Sequence, residues 1–260
     1  MRGRLLLYPD SMFSDIDVYQ WEYEQFQWDV HILIEGTLSA SIQFLNGGAK
    51  ADLAKLEQRM KKPASDEYHQ HLVDEHVGVL ATGDAQERFL RNMALVALAS
   101  RLTHSLHKMA RSAEAFNERK KGYKPKKGYK KRGMSEFEGL WAEYNERFNI
   151  DLIEEHASRV AFVEPLRKVR NQIVHDGSEA NTLKRLDEAG LNGDDSGWLD
   201  LEFSRKYPEY VHGGGMSAEV NVSQDLLDKN IEASIELVGW LAGELRRREL
   251  ANMKDITGIH

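Results

Sequence analysis

Ala94-Leu95-Val96-Ala97-Leu98-Ala99-Ser100-Arg101-Leu102-Thr103-His104-Ser105-Leu106-His107-Lys108-Met109 is the stretch that decides the fold. Leu95, Leu98, Leu102, Leu106 and Met109 recur every three or four residues, and Ala113 and Phe116 extend the row. Each residue of an α-helix turns the chain by about 100°, so this spacing gathers them on one face. Asp84 and Glu87 offer a capping box ahead of the row, which predicts a helix over 85–117. A helix of that length is the spine of a helical bundle or of a dimer.

The flanking segments read the same way. Upstream, Tyr19, Tyr23, Phe26, Val30 and Leu33 keep helical spacing within 15–45. Trp21, Tyr23, Phe26, Trp28, Val30 and Ile32 partly alternate like a strand, but length and the lack of breakers before Gly36 favour a long helix. Gly47-Gly48 is expected to end it, with shorter helices over 50–61 and 65–80. Downstream, Ser135 and Glu138 open a helix that points Phe137, Leu140, Trp141, Tyr144 and Phe148 inward. A further helix is predicted over 152–175, kinked or restarted at Pro165.

From Gly177 to Asn221 the periodicity breaks at Asn192-Gly193, Ser196-Gly197 and Gly213-Gly214-Gly215. Trp198 to Phe203 alternates like a strand, and Ala218–Val222 is its expected hairpin partner. Ser223 then caps a last helix with Leu227, Ile231, Ile235, Val238, Leu241 and Leu245 as its stripe. Arg246, Arg247 and Arg248 are expected at its negative end. The expectation is a mainly all-α chain, a helical bundle carrying a small loop and β-hairpin insertion at 177–222. Residues 1–84 form an N-terminal helical part, and 85–260 form the core with a basic loop at 118–133.

Composition narrows the function classes. With 260 residues and 41% apolar content the chain is long enough for one sizeable domain, and five prolines fit a helix-rich one. The absence of cysteine excludes disulfides, thiolate metal sites and cysteine nucleophiles. No apolar run reads as a signal peptide or a membrane span, so a soluble, cytoplasmic protein with no membrane contact is expected. No phosphate-cradling glycine loop or serine-hydrolase elbow is present.

The chemistry concentrates in Arg170-Asn171-Gln172-Ile173-Val174-His175, followed by Asp176-Gly177. Arginine pairs with phosphate oxygens, histidine moves a proton near neutral pH, and asparagine orients either partner. Arg101 with His107 and Arg205 with His212 repeat the bare spacing. Only Arg170/His175 combines a polar residue after the arginine, apolar residues between and a helix stop behind it. On a helical projection Phe162, Leu166, Val169 and Ile173 form the buried stripe. Glu164, Arg167, Asn171 and His175 lie opposite, with Arg170 on the flank.

This segment resembles the signature of the HEPN superfamily, an arginine and a histidine separated by four to six residues. The resemblance is carried by Arg170 to His175 and extends over about 85–250. It implies a HEPN-like helical bundle in which 223–250 is the helix that packs beside the motif; the insertion of about 45 residues departs from the compact plan. It also implies a metal-independent endoribonuclease, with no cofactor and no metal, that works as a homodimer with motifs facing across the interface. Arg170, Asn171 and His175 would be the catalytic residues, RNA (tRNA or other cellular RNA) the substrate, and a toxin or anti-phage defence system the setting. An antitoxin or regulatory defence partner goes with that setting. Some members carry a modifiable tyrosine two residues after the histidine; here that position is Gly177, so this form of control is not expected.

The formal charge of −7 hides an asymmetry. Setting aside nine of the 35 basic side chains, those between Glu118 and Gly133, leaves 26 against 42 acidic ones. Lys120, Lys121, Tyr123 and Lys124 are nearly repeated by Lys126, Lys127, Tyr129 and Lys130, with Arg119, Lys131 and Arg132 at the ends. Lysines attract phosphate and tyrosines offer stacking faces to unpaired bases, which marks this loop for RNA binding. A solvated linker is the plainer alternative. His69, His71 and His76 with Glu75 match no strong metal-ligand spacing, and His104 with His107 reads as a surface stripe. Beside the ribonuclease stands a second reading, a non-catalytic helical RNA- or protein-binding module or a subunit of a defence complex.

Overall fold

A computed structural model describes residues 17–63, 65–118, 136–175, 201–212 and 219–257. The basic loop with Lys120 to Arg132, Ser135, Asp176, and the 177–200 and 213–218 parts of the insertion, with Gly213-Gly214-Gly215 and Ala218, lie outside the described residues. Among the described residues the fold is mainly α-helical. The helices are α1 (Asp17–Trp28), α2 (Thr37–Met60), α3 (Asp66–Glu118), α4 (Glu136–Phe148), α5 (Ala157–Val160), α6 (Val163–His175), α7 (Leu201–Lys206) and α8 (Gln224–Thr257). A π-helical stretch, Asp29–Gly36, joins α1 to α2. Val211–His212 (β1) pairs antiparallel with Glu219–Val220 (β2), with Val211 opposite Val220.

Phe26, Val30, Ile34 and Leu38 are buried and spaced by four throughout. Four residues overshoot one α-turn by about 40°, so such a row would drift off its face. The wider π winding over Asp29–Gly36 brings it back.

Several expected boundaries are corrected. Gly47-Gly48 does not end a helix; α2 runs through both glycines to Met60, absorbing the separate helix expected at 50–61. Two glycines cost about 1 kcal/mol each against alanine, which a packed helix tolerates. Helix α3 likewise spans 53 residues, merging the 65–80 and 85–117 predictions, so Asp84 is mid-helix and caps nothing. Leu201–Lys206 is helical, not a strand. Phe203 and Tyr207 are one turn apart, both buried, with ring centroids 5.3 Å apart. That i,i+4 pair outweighs the alternation, and the strand that meets β2 is β1. Helix α8 continues to Thr257, so Arg246–Arg248 are interior to it.

The chain divides into two compact units. One draws its described residues from Met1–Trp28, Ser100–Glu164 and Glu232–His260, the other from Asp29–Ala99 and Pro165–Ile231. In the first, Tyr19 and Phe26 of α1, Leu102, Leu106 and Met109 of α3, Phe137, Leu140, Trp141 and Tyr144 of α4, and Val238, Leu241 and Leu245 of α8 are buried. Gly239 lets α8 approach α1: a Cβ there would lie 2.8 Å from the Tyr23 ring. Tyr144 donates to the Leu106 carbonyl at 2.7 Å, and burial pushes its phenol well above the usual tyrosine range. Helix α4 ends in a left-handed (αL) cap. Asn149 takes φ 53°, and the amides of Asn149 and Ile150 bond the Asn145 and Tyr144 carbonyls at 2.9 and 3.2 Å. Arg248 Nη1 caps the Phe148 carbonyl at 2.9 Å.

In the second unit α3 grips the hairpin. Arg91 Nε donates to the Val222 carbonyl and Asn92 Nδ2 to that of Val220, both at 2.9 Å, while Asn92 Oδ1 accepts from the Val222 amide at 3.1 Å. Asn92 thereby treats the extended 220–222 segment as a neighbouring strand would. The expected Ser223 cap is present, its Oγ accepting from the Leu226 amide at 3.2 Å. Tyr210 is held by Asn230 Nδ2 at 3.0 Å, and burial raises its pKa above the ordinary tyrosine value despite that contact.

Candidate functional site

The segment carrying the motif breaks before Pro165, as the proline predicts. Turns over 152–156 and the single turn α5 precede α6, in which Pro165 occupies the third position. A proline in the first helical turn removes no intrahelical bond, because those amides have no partner anyway. Glu164 beside it favours the positive helix end.

Val163, Leu166, Val169 and Gln172 are the buried residues of α6. Leu166 and Val169 confirm the expected stripe, whereas Phe162 and Ile173 are only half-buried. The stripe is rotated toward Val163 and Gln172, and a buried amide ends it. Lys168 and Val174 are exposed, and Arg167, Arg170 and Asn171 are half-buried. Arg170 thus sits on the flank, as helix geometry places it. Its Nη1 donates to Asn171 Oδ1 at 3.0 Å. The neighbouring amide orients the guanidinium, and among the described residues further N–H donors of the fork are left for an anion. His175 is the last residue of α6, and its side chain lies outside those described, as do all the lysines and tyrosines of the basic loop.

The other two arginine–histidine spacings lead to different surroundings. Arg205 lies in the last turn of α7, while His212 lies on β1, beyond a 3-10 turn at Pro208–Tyr210. Arg101 donates to Glu22 Oε1 at 2.9 Å and to Ser105 Oγ at 2.5 Å, so its guanidinium is spent on the fold.

That second set of contacts is the polar cluster sequence reasoning missed. Glu22 is 1% exposed, accepts from Ser105 Oγ at 2.8 Å and has Lys108 Nζ 2.5 Å from Oε2. Burial opposes its ionisation, but Lys108, Ser105 and Arg101 outweigh burial and hold the carboxyl below its ordinary value. Lys108 also lies 4.2 Å from the Trp21 ring centroid. A signal was present. Tyr19, Glu22 and Phe26 share one helical face, and Arg101, Ser105 and Lys108 share another at i, i+4, i+7.

Among the described residues no three histidine, aspartate or glutamate side chains come together as a metal site. Glu75, beside the histidine-rich patch, is paired with Arg59 at 3.1 Å. No described helix is long and apolar enough to cross a membrane. No protein-family profile, characterised protein or solved structure matches the chain at a significant level.

Proposed function

We propose that the chain is a HEPN-type, metal-independent endoribonuclease that cleaves tRNA or other cellular RNA, as a cytoplasmic toxin or anti-phage defence protein under the control of a partner. The observation that carries this reading is the orientation of Arg170 by Asn171, five residues before His175 on the same helix. A guanidinium pinned from one side is pre-organised for the phosphate that a flexible arginine would have to capture.

In the proposed reaction His175 takes the proton of a ribose 2′-hydroxyl, and that oxygen attacks the adjacent phosphorus. The O2′–P bond forms and the P–O5′ bond breaks, the protonated His175 returns the proton to the departing 5′-oxygen, and the products are a 2′,3′-cyclic phosphate and a 5′-hydroxyl. Arg170 stabilises the charge on the phosphorane-like transition state. The Lys/Tyr loop draws in single-stranded or looped RNA.

The test is incubation of the purified protein with cellular RNA in EDTA, with cut ends mapped. Cleavage to 2′,3′-cyclic phosphate ends, lost in His175→Ala with helicity intact, is the expected result. RNA bound but uncut by the wild type would show a binding module instead.

A further inference from the structure

Two tryptophans of α1 are left on its outer side. Trp21 is 47% exposed and Trp28 53%. They are seven residues apart, two helical turns, so their Cα atoms lie about 10.5 Å apart along one face. Exposed Glu24 lies between them. On a helical projection the three positions fall within about 60° of one another, away from buried Tyr19 and Phe26. Gln20 Nε2 donates to Glu24 Oε1 at 2.8 Å and anchors the carboxylate on this face.

The chemistry of the face selects a cation. An indole ring attracts ammonium or guanidinium through its quadrupole, and a neighbouring carboxylate adds Coulomb attraction. The chain itself shows the preference, since the Lys108 ammonium sits 4.2 Å from the Trp21 ring centroid. Composition points the same way. From Leu5 to Ala49 the sequence has seven carboxylates and no lysine or arginine. Arg101 and Lys108, the cations that reach α1 from α3, are both paired with buried Glu22. A nucleic acid would bring its phosphates against Glu24, and an apolar partner would bury that carboxylate unpaired.

We infer that the Trp21–Glu24–Trp28 face of α1 is a docking surface for a lysine- or arginine-rich segment of a partner protein, with one cation against each indole and Glu24 between them. In the polyproline II conformation residues three apart lie on one side, about 9 Å from each other. Cations at that interval therefore meet both rings, and aromatic-lined surfaces favour this preformed conformation. The inference rests on no part of the ribonuclease reading, and peptide binding is measured without RNA.

The test is fluorescence polarisation with the full chain and a labelled Lys-Pro-Pro-Lys-Pro-Pro-Lys peptide. Saturable binding with a Kd below about 1 mM, weakened by added salt, is the expected result. A peptide of the same composition with its lysines adjacent should bind about fivefold more weakly, as loss of one ring contact implies. Trp28→Ala and Glu24→Gln, both at exposed positions, should each weaken binding by about threefold to fivefold with helicity unchanged by circular dichroism. Trp28→Phe keeps an aromatic face and should retain most of the affinity. No saturation by about 1 mM, equal binding of the two peptides, or affinity unchanged by both Trp28→Ala and Glu24→Gln would overturn the inference. So would binding of a labelled oligouridine that Trp28→Ala abolishes, which would give the face to RNA.

Discussion

Asn171 Oδ1 accepts a hydrogen bond from Arg170 Nη1 at 3.0 Å, so the side chain after the arginine aims the arginine. On the ribonuclease reading, Arg170→Ala should lower kcat by about a hundredfold or more, as loss of a transition-state donor does. Asn171→Ala should lower it about tenfold, a misorientation effect. Asn171→Asp retains the acceptor and should recover most of the rate. Single-turnover cleavage separates these from changes in RNA affinity; equal rates for Asn171→Ala and wild type would remove the orienting role.

The Glu22 cluster makes stability depend on pH. Its carboxyl titrates lower in the folded chain than in the unfolded one. The stability it contributes is therefore present above the unfolded carboxylate pKa and is lost as pH falls through the folded value. Urea unfolding at pH 7, 5 and 3 should show this loss, and Glu22→Gln should flatten it. Glu22→Ala, which removes the carboxylate facing Arg101 and Lys108, should cost about 3 kcal/mol at pH 7. A pH profile unchanged by Glu22→Gln would contradict the assignment.

Glycines in these helices should respond oppositely to the same substitution. Gly239→Ala drives a methyl to within 2.8 Å of the Tyr23 ring and should cost about 1–3 kcal/mol. Gly83→Ala, inside α3 with nothing within 4 Å of the new carbon, should stabilise by about 1 kcal/mol. Thermal unfolding of the two single variants is the measurement, and the difference in sign is the result that matters.

Local signals were legible where local energetics decide the outcome. The inward row Phe137, Leu140, Trp141 and Tyr144, the Ser223 cap and the helix restart at Pro165 all stand as the sequence implies. Stop signals worth about a kilocalorie were not decisive. Gly47-Gly48 and the Asp84–Glu87 box lie inside helices that packing carries through. The alternation before Phe203 gave way to its contact with Tyr207. At the candidate site, adjacency in sequence made Arg170 and Asn171 readable. Glu22 meets Arg101 only through the tertiary fold, 79 residues apart, and no local pattern encodes that distance.

The interleaved order of the two units has a consequence for synthesis. The second unit needs residues up to Ile231, and the first needs its last segment after Glu232. During translation neither has all of its parts until most of the chain has been made, and both are then completed by successive portions of α8. The nascent chain therefore carries α3 apolar residues that wait for their later partners during elongation, which exposes them to premature association.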